Sequence, residues 1–259
     1  MTTKITWTDE TWNPITGCTK ISEGCAHCYA ARMAKRLAGR HGYPEAPHEF
    51  DVTMHHDRLD QPLQWKKPRR VFVCSMSDLF HDDVPWQFIS EVFAVMAQTK
   101  HTFQVLTKRP RNLNTWQGWS GWLEPRVWLG VTAENQHRAN KRIPLLLQTP
   151  AAVRFVSVEP MLGPVDLDRF LPYKTDSGAS DPNTGAGINV LYPGLDWVIC
   201  GCESGPGRRP MKLEWAIDLV RQCQSAGVSI FVKQIEIDGV VSHDPAEWPE
   251  ELRVQEWPI

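Results

Sequence analysis

Six short runs of β-branched and aromatic residues punctuate the chain, at 71–75, 102–106, 127–131, 153–158, 197–201 and 229–233. In each run the apolar residues are nearly continuous instead of alternating, the pattern of a strand covered on both faces. Weaker runs at 50–54 and 4–7 predict a seventh and an eighth strand. Helical periodicity fills the intervals. Ala30, Met33, Ala34 and Leu37 share one helical face, with Gly39 as a stop. Ile89, Val92, Phe93 and Met96 form a second stripe, with Pro85 suited to the first turn. Ala216, Leu219, Val220 and Cys223 form a third, with Gly227 just past its end, and residues 135–147 predict a more polar, basic helix. Strands alternating with helices imply parallel strands joined by crossovers. The expectation is one α/β domain spanning 1–259, a complete or partial (β/α) barrel of about six to eight mostly parallel strands.

Two segments stand outside this rhythm. Residues 173–194 are rich in Gly, Asp, Ser, Asn and Pro and carry almost no periodic apolar signal, which predicts a mobile lid or insertion. Residues 243–259 contain two Trp-Pro pairs and predict an extended tail. No apolar run approaches the roughly 18 residues of a membrane span. The N-terminus carries an acidic pair where a signal peptide needs its apolar stretch, so a cytoplasmic protein is expected.

Chemistry in a parallel barrel sits on the loops that leave the C-terminal ends of the strands. Those exits read Ser75-Met76-Ser77-Asp78, Thr107-Lys108-Arg109-Pro110, Thr132-Ala133-Glu134-Asn135, Ser157-Val158-Glu159-Pro160, Gly201-Cys202-Glu203-Ser204-Gly205 and Lys233-Gln234. Thr132, Ser157 and Ser204 could each merely cap a helix. A rim that holds Asp78, Lys108, Glu134, Glu159, Glu203 and Lys233 together exceeds what solubility requires and points to a polar ligand site.

Composition sharpens the picture at one place. The net charge of −2 excludes a strongly basic nucleic-acid coat but leaves room for a local basic groove. Of seven cysteines, Cys18, Cys25 and Cys28 fall together as C-x6-C-x2-C, just before a helix. Clustered thiols in a reducing compartment point to a metal or to catalysis. Three thiolates can hold three corners of a [4Fe-4S] cube and leave the fourth iron open. With one imidazole they can instead hold tetrahedral zinc. His27 lies between two ligands, so a fourth zinc ligand would come from His41, His48, His55, His56 or a distant Cys; the missing second ligand pair favours the open-site cluster.

The stretch Trp12-Asn13-Pro14-Ile15-Thr16-Gly17-Cys18, continuing through Ser22-Glu23-Gly24-Cys25-Ala26-His27-Cys28-Tyr29-Ala30, resembles the opening of a phage-associated, radical-SAM-like family of mostly unassigned function. The resemblance runs over nearly the whole chain, through the exits above and Gly130-Val131-Thr132. One departure is visible: radical SAM enzymes mostly carry C-x3-C-x2-C, and here the first interval is three residues longer. The resemblance implies that Cys18, Cys25 and Cys28 ligate a [4Fe-4S] cluster and that S-adenosyl-L-methionine chelates the open iron. One electron, from a donor such as flavodoxin or ferredoxin, would then release methionine and a 5′-deoxyadenosyl radical that abstracts hydrogen from the substrate. It further implies that His27 contacts the adenine and that Ser75, Ser77, Thr132, Ser157 and Glu159 hold the methionine and ribose. Glu203 would bind an amino group, with Lys108 and Cys202 beside it at the catalytic rim. Phage association, by analogy, suggests a nucleobase or nucleotide substrate, such as a modified thymidine of phage DNA that is isomerised or further modified.

The remaining features read more plainly. Cys74, inside a predicted strand, and Cys223, on a helical stripe, behave as small hydrophobes, as does Cys200. Basic clusters occur at 66–70, 108–111, 138–142 and Arg208-Arg209; the first precedes a strand and belongs at the far end of the barrel. Lys108, Arg109 and Arg111, with Arg208 and Arg209, would share the active rim, where basic groups beside Trp116, Trp119 and Trp122 could grip a nucleotide by charge and stacking. Two other readings stay open: a zinc- or cluster-stabilised module that binds nucleic acid or protein without radical chemistry, and a hydrolase that uses Asp78, Glu134 or Glu159.

Overall fold

A computed structural model describes residues 3, 5–115, 125–180, 187–192 and 194–258. Its centre is an eight-stranded sheet. The strands are β1 (Glu10–Trp12), β4 (Arg70–Val73), β5 (Thr102–Thr107), β6 (Val127–Thr132), β7 (Val153–Val158), β10 (Trp197–Gly201), β11 (Ser229–Ile237) and β12 (Val240–Ser242), in that spatial order. All neighbours are parallel except the β11–β12 hairpin. The crossovers carry α2 (Trp86–Ala97), α3 (Pro110–Thr115), α4 (Gln136–Leu147) and α5 (Leu213–Ala226), while α1 (Tyr29–Leu37) follows the cysteine segment. β2 (Ile15–Thr16) and β3 (Thr53–Met54) form a small antiparallel pair at the side.

The helical stripes are where the periodicity places them. Ile89, Val92, Phe93 and Met96 are buried on α2, and Ala216, Leu219, Val220 and Cys223 on α5. Asn135 caps α4 by accepting the Arg138 N–H at 3.1 Å, and Gly227 closes α5 in the left-handed region at φ 66°. These helices pack on one face of the sheet over Val71, Val105, Leu129, Val156, Val198 and Ile230. The alternate residues of the same strands face the other way, where Phe155, Trp197, Ile199 and Phe231 gather with Trp7. Both faces are apolar, which is why the strands read as continuous hydrophobic runs.

The sheet is open, with β1 and β12 as its edges, yet it curls. Five inter-strand steps of about 4.8 Å would put β4 and β11 about 24 Å apart in a flat sheet. Phe72 of β4 and Lys233 of β11 nevertheless line one cavity. The fold is therefore a mixed α/β architecture compatible with a partial β/α barrel. Side chains bridge the ends that strand pairing leaves apart. Trp7 meets Phe72 at 4.7 Å and Trp197 at 6.0 Å between ring centroids. Trp257 stacks edge-on against Phe231 at 5.0 Å, donates its indole N–H to the Trp7 carbonyl at 3.1 Å and lies under the Arg70 guanidinium.

Several expectations need correction. The run at 4–7 is not a strand in its described part; Trp7 is in a turn, where its ring fills the inner face, and the pairing segment is Glu10–Trp12. Strand β4 stops at Val73, and Cys74 lies beyond it at φ 60°. Lys233 and Gln234 are mid-strand, because β11 runs on to Ile237 to pair with β12. The stretch 173–194 contains an antiparallel ribbon, β8 (Tyr173–Ser180) with β9 (Gly187–Tyr192), where the composition suggested no regular structure. The tail is extended but includes two short 3-10 turns, Pro245–Glu247 and Glu250–Leu252, and buries Trp248 and Leu252.

Candidate functional site

The cysteine segment begins at a position only glycine fits. Gly17 has φ 84°, and a Cβ there would lie 2.1 Å from the Asp51 carbonyl oxygen. Its N–H donates to the Met76 carbonyl at 3.1 Å, so the chain enters the cysteines alongside the exit of β4. Asn13 braces that exit, its Oδ1 accepting from Ser75 Oγ at 3.1 Å and from the Met76 N–H at 3.0 Å.

From there the segment is tied to four strand ends. Arg109, after β5, donates to Cys18 Sγ at 3.5 Å, to Thr19 Oγ1 at 2.8 Å and to Asp78 Oδ2 at 3.3 Å. Asp78, after β4, also accepts Thr107 Oγ1 at 2.7 Å and the Lys108 N–H at 3.0 Å. Glu134, after β6 and wholly buried, accepts Ser22 Oγ at 2.5 Å and Arg142 at 2.8 Å. A Cβ on Gly24 would lie 2.4 Å from the Glu134 side chain, so this approach also requires glycine. Glu203, after β10, accepts from Arg209 at 2.5 Å and lies 2.9 Å from His27 Nδ1, while Arg209 also reaches the Glu23 carbonyl at 2.9 Å.

These ties place the cysteines over a cavity of about 280 Å³ at the C-terminal edge of the parallel strands. Cys18, Cys25 and Cys28 line it with His27. Ser75, Ser77, Lys108 and Thr132 line it from β4, β5 and β6 and their exits, and Glu159, Cys202 and Glu203 from those of β7 and β10. Ser157 is the one candidate outside the lining. It is buried one step below, 3.4 Å from Glu159 Oε2, so it acts on the cavity through Glu159. Glu159 in turn pairs with Lys233 at 3.0 Å. Lys108 Nζ donates to Thr132 Oγ1 at 3.2 Å and lies 4.0 Å from Glu134. Ser77 Oγ donates to the Ile15 carbonyl at 2.9 Å.

Electrostatics separates the thiols. Burial and the Asp78 charge push Cys18 up to about 11, against the pull of Arg109. Burial also works to raise Cys25, but the Ile21 backbone, the Lys108 charge and Ser22 outweigh it and bring the thiol below its ordinary value. Burial pushes Cys202 up to about 12, so it faces the cavity as a neutral thiol. Cys74 and Cys223, also buried, are pushed up to about 12 in the same way, as their apolar surroundings require. Burial works to raise Glu203 as well, yet the Arg209 and His27 hydrogen bonds hold it down at about 2.

Among the described residues no three Cys, His, Asp or Glu side chains form a ready-made ligand set for a single ion. His27 is engaged by Glu203, and His41, His48, His55 and His56 lie outside the cavity lining. His55 bonds Thr16 at 2.8 Å instead, and burial and Arg58 depress it to about 4. Cys18, Cys25 and Cys28, each partly exposed, share the lining of one cavity.

The residues that build the site but carried no assigned role in the sequence are Asn13, Ser22 and Glu23; Arg109 and Arg209 were legible as rim cations, but not as ties to the cysteine segment. Asp78 and Glu134 were legible as rim carboxylates, but not as the anchors of the cysteine segment. Trp116, Trp119 and Trp122 lie outside the described residues. No helix among the described residues is long and apolar enough to cross a membrane. Comparison with curated proteins and with solved structures returns no match. A protein family described as "Protein of unknown function (DUF5131)" matches residues 2–253, and the chain belongs to that family.

Proposed function

We propose that this protein is a radical S-adenosyl-L-methionine enzyme acting on a nucleobase or nucleotide in the cytoplasm, with an electron donor such as flavodoxin or ferredoxin. The observation that carries the reading is the single cavity shared by Cys18, Cys25 and Cys28 and the polar strand exits. Those three thiols are the residues that would hold a [4Fe-4S] cluster. When bound with S-adenosylmethionine, such a cluster supplies one-electron cleavage of the sulfonium to methionine and a 5′-deoxyadenosyl radical.

The chain's own residues do the rest. Lys108 and the Ser22 hydroxyl favour the thiolate form of Cys25, and Arg109 does the same for Cys18 against burial. Glu134, Glu203 and Arg209 hold the cysteine segment against the strand ends, so the thiols keep their positions while ligands exchange. Ser75 and Thr132 present hydroxyls, and Glu159 and Lys233 a charged pair, to a polar zwitterionic ligand. Glu203 lines the same cavity, where its bonds orient His27 and Arg209 and its Oε1, with one protein donor, keeps acceptor capacity for an amino group.

The test is anaerobic reconstitution with iron and sulfide, followed by EPR of the reduced protein with and without S-adenosylmethionine and assay for 5′-deoxyadenosine. The expected result is a cubane signal that shifts on addition, with 5′-deoxyadenosine formed. Cys25→Ala should lose both iron and product while keeping a wild-type thermal transition. Stoichiometric zinc and no cluster would overturn the reading in favour of a binding module.

A further inference from the structure

A second cavity, of about 570 Å³, lies between α3 and α4 and shares Ile21, Lys108 and Arg109 with the cysteine cavity. Six cations line it, Lys108, Arg109, Arg111, Arg138, Lys141 and Arg142, against one acid, Asp82. This concentration stands out in a chain of net charge −2. Four of the six serve the cysteine segment or its anchors: Arg109 pairs with Asp78 and Asp82, Arg138 with Glu23, Arg142 with Glu134, and Lys108 lies 4.0 Å from Glu134. Arg111 and Lys141 are exposed and have no ion-pair partner among the described residues. Neither is needed to build the rim.

We infer that this groove holds the phosphodiester backbone of a single-stranded nucleic acid whose target base enters the cysteine cavity. The inference rests on the nucleobase reading above and names the polymer as its substrate. A phosphate attached directly to a base in the cysteine cavity would meet Lys108 and Arg109, at the junction of the two spaces. It would leave Arg111 and Lys141, exposed on separate helices and outside the cysteine cavity's lining, without an anion. A strand supplies further phosphates along the same path, and it presents an unstacked base without the cost of extruding one from a duplex. A cationic groove that tracks the backbone, with specificity left to the base pocket, is how single strands are held.

The experiment is fluorescence anisotropy of a labelled ten-nucleotide single strand on the reconstituted protein, across a salt series, with a deoxynucleoside monophosphate as competitor. Wild-type protein should bind with strong salt dependence. The Arg111→Glu, Lys141→Glu double variant, altered only at exposed positions, should bind at least tenfold more weakly. Its log-log salt slope should shrink by about 1.4, since each lost single-strand phosphate contact removes about 0.7. Equal affinity in wild type and variant would overturn the groove, as would a monophosphate that competes as well as the strand. Cleavage of S-adenosylmethionine without nucleic acid, measured on the same preparation, reads the cluster separately. Wild-type protein that cleaves S-adenosylmethionine but binds no strand overturns the groove alone; wild-type protein that binds the strand but gives no cleavage overturns the radical reading alone.

Discussion

The inner face of the sheet has two ends built from the same strands and opposite chemistry. At the lower end Trp7, Trp128, Trp197 and Phe231 meet edge to face and Phe155 packs tilted against Trp197, with centroids between 4.7 and 6.5 Å from a neighbouring ring. Four residues beyond Trp128 and Phe155 stand Thr132 and Glu159, and two beyond Phe231 stands Lys233. The lower end closes by aromatic packing a sheet that hydrogen bonding leaves open. Each such pair adds about 0.5–1.5 kcal/mol beyond the area it buries. The upper end contributes far less net stability, because desolvating Asp78, Glu134 and Glu203 offsets most of what their pairs return. What its ion pairs supply is position. The stability of the sheet and the geometry of the site are therefore separable along one strand, such as β10, where Trp197 serves the first and the exit to Glu203 serves the second.

That separation is open to attack, most forcefully at the floor. Trp197→Ala should cost about 3–5 kcal/mol in urea unfolding, with iron incorporation per folded molecule unchanged. A parallel loss of iron would show that floor and rim are one unit. Next, Glu134→Ala strands the buried Arg142 guanidinium and should cost about 3 kcal/mol. Unlike the floor variant, it should also cut iron incorporation, because Ser22 loses its anchor. Stability lost with iron uptake intact would make Glu134 merely structural.

A smaller effect distinguishes the rim by its pH dependence. The Glu203 carboxyl sits at about 2 in the folded protein against an ordinary value of 4.5. A depressed carboxyl contributes stability that is complete above about 4.5 and is lost as the pH falls toward 2. Glu203→Ala should thus cost about 1–3 kcal/mol at pH 7, a deficit constant down to about pH 5 that fades toward pH 2. The floor variant should show no such fade, and a pH-independent Glu203→Ala deficit would rule out the ionised pairing. Smallest of all, Ser157→Ala should cost about 0.5–1 kcal/mol. S-adenosylmethionine affinity, read by equilibrium dialysis, should shift by less than it does in Thr132→Ala, whose hydroxyl lines the cavity.

Much of this arrangement is visible in the chain before it folds. The parallel strands, the buried stripes of α2 and α5 and the cysteine spacing are local patterns, set by side-chain periodicity and backbone preference, whereas the helix cap falls at Asn135 and not at Thr132. The open edge was not visible, because closure depends on how far the sheet curls and on which segments plug the gap. Nor was the ribbon at Tyr173–Ser180 and Gly187–Tyr192, since the first arm is polar and glycine-containing and the short apolar run of the second is too brief to announce its partner.

The functional candidates divide along the same line. That Cys18, Cys25 and Cys28 belong together follows from their spacing, and that the strand exits are polar follows from reading them in order. Which exit holds which part of the cysteine segment depends on contacts between residues far apart in the chain. Ser22 meets Glu134 across 112 positions, Arg209 meets Glu23 across 186, and Trp257 meets Trp7 across 250. Local sequence specifies which groups are available, because periodicity and turn chemistry act over a few residues. Only the packed sheet decides their partners, because a buried charge is tolerated only where folding brings its counter-charge within hydrogen-bond reach.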